Sequence, residues 1–236
     1  MYVRIIVATA LAVAVATPAA AQMTGSRLGK NATIHDAKAV FDNMVRCVGE
    51  RSPKYAHQIM RLAPGSKAEH AKIFGNEGDL GMCMDDQKRR MVLPAGVEMT
   101  MNARMFRTNL ATVMARNALE DIDASKLAQA APWSMAIYDL PTGESQRVDT
   151  MQVALLEFGD CVVAAKPVEA TAFVRHGAKS SKGSAAMKLM LPVLGSCVPQ
   201  GANLEITPEV LSVALSEPIY HRARSLAKGT QPGESG

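Results

Sequence analysis

Two stretches of the chain repeat apolar residues at steps of three and four. Ile34, Ala37, Val40, Phe41, Met44, Val45 and Val48 form one, and Val148, Met151, Ala154, Leu155, Phe158 and Val162 form the other. Both predict an amphipathic helix with one face turned to a core. Thr33 with Asp36 suits a capping box ahead of the first, and Asp149 can cap the second. Pro53 and Pro167 then stand where a second helix would open, because proline is tolerated in a first helical turn. Ser66-Lys67-Ala68-Glu69 is a further capping box and predicts a third helix, with a counterpart starting near Ser180 or Ser181 and running towards Pro192. Short extended stretches are expected at 90–93 and 204–206. Pro94 and Pro208 lead into a fourth helix, which Pro218 should kink or divide in the second half.

The two stretches belong to a longer correspondence. Cys47 and Cys83 lie 36 residues apart, as do Cys161 and Cys197, and an offset of 114 superposes both pairs without a gap. Eleven identities then align over the 48 positions from Cys47 to Pro94, against roughly 3 expected by chance. They include Pro53 with Pro167, Arg61 with Arg175, Ser66 with Ser180, and Leu80-Gly81 with Leu194-Gly195. Apolar pairs such as Met44 with Phe158 and Phe106 with Tyr220 extend the match. The expected architecture is all-α, two tandem repeats of about four helices each. If each repeat kept an ancestral fold, each closes its own bridge, Cys47–Cys83 and Cys161–Cys197, tying its first helix to the end of its third. Such a bridge is worth roughly 3–4 kcal/mol in the chain-entropy model, which matters for a unit with a modest core.

The N-terminus changes the compartment. Arg4 is followed by a run, Ile5 to Ala16, that is apolar except for Thr9, and then by Ala19-Ala20-Ala21. This predicts a secretory signal cleaved before Gln22, with an apolar run too short to span a bilayer. Four cysteines in an exported chain are expected to be oxidised. The expected organisation is a signal peptide 1–21, a flexible segment 22–33, repeat one 34–119, a connector 120–147, repeat two 148–227 and a tail 228–236. The expected location is periplasmic or secreted, with no membrane span after cleavage.

Composition narrows the function classes. The 236 residues carry a net charge of +4, too small an excess for a nucleic-acid binder, and ten aromatics offer few stacking platforms. Fifteen methionines raise the possibility of Cu(I) binding through thioethers, at Met82, Met84, Met99, Met101 and Met105. The second repeat has Val213, Leu215 and Ile219 opposite the last three, which favours packing over ligation and predicts no metal and no cofactor. His35, His57, His70, His176 and His221 show no metal spacing and are expected at surfaces or helix ends. Asp85-Asp86 is expected at a helix end or loop, and otherwise offers acids to an enzyme confined to one repeat. Ser225-Leu226-Ala227-Lys228 has serine–lysine spacing without the companion motifs of penicillin-recognising enzymes.

Arg61 and Arg175 are the charged pair common to both repeats, able to hold an anion or a partner's carboxylate, or to pair on their own surface. Trp133, in the connector, is expected to plug the space between repeats or to line a pocket there. These three are the candidate binding residues. The signal, the two Cys-bearing units, Gly-x-Cys at 81–83 and 195–197 and the aromatic of the fourth helix resemble uncharacterised duplicated, disulfide-bearing exported helical proteins of alphaproteobacteria. That resemblance implies a bacterial periplasm and carries no catalytic residue. The sequence therefore points to a non-enzymatic binding or envelope-associated module acting on a protein or small ligand. An enzyme with its site in one repeat and a soft-metal binder are the alternatives.

Overall fold

The computed structural model describes residues 34–75, 77–90, 101–139, 149–199 and 204–229. The expected signal peptide, Thr33, Met99, Pro94 and the segment 91–93 lie outside them, as does the tail beyond Gly229. The described chain is all-helical, in the order α1 (Ile34–Arg51), α2 (Pro53–Arg61), α3 (Lys67–Phe74), α4 (Glu77–Arg90), α5 (Ala103–Ala118), α6 (Thr150–Ala165), α7 (Pro167–His176), α8 (Ser181–Cys197) and α9 (Pro208–Gly229). Two short 3-10 helices, Ala124–Gln129 and Met135–Ile137, lie between α5 and α6. Extended pairing among the described residues is limited to an isolated parallel bridge between Leu62 and Asp139.

Local signals set most boundaries. Asp149 accepts the N–H groups of Met151 and Gln152, and Ser180 accepts that of Gly183, closing the first turns of α6 and α8. Pro53 and Pro167 open α2 and α7. At α3, Ser66 Oγ accepts the Glu69 N–H at 3.1 Å, while the Glu69 carboxylate reaches past Ser66 to the N–H of Gly65 at 2.6 Å. Gly65 has φ +75°, a conformation a side chain would strain.

Three expectations need correction. The third helix of the first half is two helices, α3 and α4, because Gly75 ends α3 and Gly75, Asn76 and Gly78 are all poor helix formers. The first bridge therefore runs from α1 to the middle of α4, whereas the second joins α6 to the last residue of an unbroken α8. Pro218 does not divide α9, which continues to Gly229 and takes in Lys228 from the expected tail. Proline at 218 cannot donate to the carbonyl of Ala214 four residues back, and Gly159 of α6 lies directly against that carbonyl: a Cβ there would stand 1.8 Å from the oxygen. Third, Arg90, expected to open an extended stretch, is the last residue of α4, and residues 204–206 form no hydrogen-bonded strand.

One core runs through the described chain. Phe41, Met44 and Val48 of α1 meet Phe106, Leu110 and Met114 of α5, which packs along α9 through Leu215, Ile219 and Ala223. The other side of α9 rests on α6, so α9 is covered on two sides. The Thr112 and Ser216 hydroxyls, 2.9 Å apart, bridge α5 and α9. A smaller cluster joins Ala63, Trp133, Tyr138 and Leu156.

Candidate functional site

The buried charge of the molecule gathers on α5 and α9. Arg107 of α5 is fully buried, yet every face of its guanidinium is occupied. Nε donates to Glu217 Oε2 at 3.0 Å and Nη2 donates to Glu217 Oε1. Nη1 donates to Glu69 Oε1 at 3.0 Å and to the carbonyls of Ile59 and Leu62 at 3.1 and 2.9 Å, closing the C-terminus of α2. Tyr138 donates its hydroxyl to Glu217 and accepts the Trp133 indole N–H at 2.7 Å. Burial alone would raise the Glu217 carboxyl, but Arg107 holds it down at about 2. Glu69 moves upward, because burial outweighs its share of the same guanidinium. Tyr138 also rises, through burial and the neighbouring Glu217 charge. Saturated in this way, the cluster joins α2, α3, α5, α9 and the connector, and its chemistry is structural.

Arg222 repeats the arrangement one turn further along α9. Its fork meets both oxygens of Asp160 at 2.6 and 2.8 Å, and Nη1 donates to the carbonyls of Leu127 and Ala130 at 2.8 and 3.2 Å. Asp160 also accepts the Trp133 backbone N–H at 3.0 Å. Together these fix the connector, and the 3-10 helix Ala124–Gln129 in particular, against α9.

Beside that helix lies a groove of about 560 Å³, between the C-terminal end of α5 and the last turns of α9. Ala118, Ile122 and Ala223 line it together with Asp121, Lys126 and Arg224. Arg224 reaches away from α9 to His57 of α2, donating from Nη1 to Nδ1 at 2.9 Å. The Tyr220 hydroxyl stands 2.7 Å from the same nitrogen, and the two rings stack at 5.9 Å with planes 23° apart. A guanidinium only donates, so Nδ1 is the acceptor and His57 is the neutral tautomer with its proton on Nε2. Burial and the Arg224 charge both lower the His57 pKa in keeping with this. Burial raises the Tyr220 phenol to about 12 despite Arg224.

The residues singled out from sequence fall elsewhere. Arg61 pairs with Asp139 at 3.0 Å on an exposed surface. Arg175 donates to the Leu119 carbonyl at 3.0 Å, while Arg116 donates to that of Val174 at 2.9 Å, so α5 and α7 close one another's ends. Trp133 is buried with Ala63 and Leu156, and its indole N–H is spent on Tyr138. These three side chains do not converge on one site. His57 and His221 depart from the surface positions expected of them, being packed against Tyr220 and Tyr138. Asp85 and Asp86 lie within α4, not at its end or in a loop, and Asp86 faces Arg51 at 3.5 Å. Met101 and Met84 pack against the core, but Met105 is 40% and Met82 45% exposed, so packing does not account for either. Ser225 Oγ donates to the Arg222 carbonyl at 2.8 Å. No group of three or more His, Cys, Asp or Glu among the described residues is arranged to hold a metal ion. None of the described helices is long and apolar enough to cross a membrane.

Sequence reasoning missed Arg107, Glu217 and Arg224, and read Glu69 as a helix cap without its ion pair to Arg107. The available signal was the pairing of Phe106 with Tyr220, which marks these stretches of α5 and α9 as facing one core. No protein family, curated protein or solved structure matches this chain.

Proposed function

We propose that the protein is an exported binding module of the bacterial envelope, built from two copies of a disulfide-stapled helical unit, that takes a partner segment or small ligand in the groove between α5 and α9. The groove carries this reading. Ala118, Ile122 and Ala223 form an apolar wall in the groove that Arg224 also lines, and the Arg224 guanidinium is oriented by His57, which Tyr220 contacts in turn. Pockets that combine an apolar lining with a few fixed polar groups are the usual form of a ligand site. Export is supported by the N-terminal pattern through Ala21 and by the pairing of all four cysteines. Duplication is supported by the 114-residue offset and by one bridge of 36-residue separation in each half. The resemblance to exported alphaproteobacterial proteins agrees with both.

Two measurements test it. Expressed with its own N-terminus in a Gram-negative host, the chain is expected in the periplasm, beginning at Gln22, without free thiol. A full-length cytoplasmic chain overturns the export part. Amide NMR of the oxidised protein against a small-fragment panel is expected to move resonances of 117–126 and 223–227, and Ile122→Asp to abolish those shifts. A groove that responds to no fragment overturns the binding part.

A further inference from the structure

We infer that the groove selects small carboxylates with an apolar chain, and that Arg224 is the residue that holds the carboxylate. The inference rests on the groove being a binding site and adds the class of ligand. The charges around it single out Arg224. Lys126 is exposed and close to Asp123, whose carboxylate caps the 3-10 helix and is drawn down first by the Ser125 N–H and hydroxyl and then by Lys126. The buried arginines of α5 and α9 are spent: Arg107 on Glu69 and Glu217, Arg222 on Asp160. Arg224 has no carboxylate within ion-pair distance among the described residues. Its partner is an imidazole whose Nδ1 accepts, and that contact orients the guanidinium without neutralising it.

An oriented, partly desolvated guanidinium favours an anion, and its planar fork suits a carboxylate. The same charge repels an ammonium. A purely apolar ligand would strip water from the guanidinium without replacing its hydrogen bonds. The wall formed by Ala118, Ile122 and Ala223 supplies contact for a short aliphatic body, and about 560 Å³ is within the range of small-ligand pockets. Asp121 and Asp123, which also line the groove, are both exposed, so their repulsion of an anion is screened by solvent. His57 and Tyr220 act as positioning residues, setting where the guanidinium stands.

The probes are hexanoate, 1-hexanol and hexylamine, which share one chain and differ in the head group. They are titrated into the oxidised protein while the amides of Ile122 and Ala223 are followed by NMR. Hexanoate is expected to bind at least tenfold more tightly than the other two. Arg224→Gln is expected to weaken hexanoate at least tenfold while hexanol still moves the groove amides, which also shows that the variant keeps its groove. Equal binding of hexanoate and hexanol by the native chain overturns the ligand class and leaves the groove standing, a comparison that needs no variant. Unweakened hexanoate binding by Arg224→Gln overturns the role of that arginine. If no probe moves the groove amides, the groove reading falls and this inference with it.

Discussion

Arg107 serves two carboxylates with one positive charge, and they respond in opposite directions. Glu217, gripped by Nε and Nη2, sits at about 2 against an ordinary value of 4.5, whereas Glu69 is raised. The signs follow from linkage. Glu217 contributes stability that is fully present above pH 4.5 and is lost as pH falls towards 2. Its depression corresponds to about 3 kcal/mol. Glu69 binds a proton more tightly folded than unfolded, so its contribution improves as pH falls through its raised value towards 4.5. Urea midpoints taken from pH 8 to pH 2 are expected to hold or rise slightly down to about 4.5 and then drop. Glu217→Gln is expected to cost about 3 kcal/mol at pH 7 and to flatten the acid limb. Glu69→Gln is expected to cost about 1 kcal/mol or less at pH 7 and to remove only the upper limb. Arg107→Met should be the most damaging, at about 3–5 kcal/mol, because it strands two buried carboxylates. Equal losses from the two glutamate variants would show that they share the guanidinium evenly.

Between helices, two glycines of similar appearance in the sequence have opposite standing. Gly159 lies where α6 meets α9, with no room for a Cβ against the carbonyl that Pro218 leaves without its usual donor. Gly195, within the Gly-x-Cys common to both halves, has nothing within 4 Å of where its Cβ would go, and neither has Gly81. Gly159→Ala is therefore expected to destabilise by about 1–3 kcal/mol through overpacking, and Gly195→Ala to stabilise by about 0.5–1 kcal/mol through helix propensity. Thermal melts of the two variants check the signs, and a stabilised Gly159→Ala would mean that α6 and α9 separate freely. The same contrast explains what could be read from sequence. Asp149, Ser180, Pro53 and Pro167 act within a few residues of themselves, so their caps and first turns were legible. The break at Gly75 depended on three weak helix formers outweighing a pattern copied from the other half. Arg107 meets Glu217 across 110 positions and His57 meets Tyr220 across 163, and no local period records such pairs. A buried arginine in a helix looks, in sequence, like an exposed one. For that reason the candidate residues read from sequence were Arg61 and Arg175, matched by duplication, and not Arg224.

At the scale of the whole chain, the two disulfides staple different halves but the core does not divide between them. Phe41 and Phe106 belong to the same cluster as Phe158, Phe173 and Leu215, and α5 packs along α9 for much of its length. The connector is bound into this body by Arg222, Asp160 and Glu217. The fold is therefore expected to melt as one cooperative unit, and each bridge to stabilise all of it. Trp133 is a suited reporter, being the single tryptophan and packed between Ala63, which follows α2, and Leu156 of α6. Unfolding followed by its fluorescence should coincide with the loss of helical circular dichroism. Replacing Cys161 and Cys197 together by serine is expected to lower that one transition by roughly 3–4 kcal/mol without splitting it. The same replacement of Cys47 and Cys83 should cost a similar amount, since both bridges close loops of 36 residues. Independent halves would behave otherwise: helical signal would be lost in two steps, each bridge variant would move one of them, and Trp133 would report separation of the halves before either had melted.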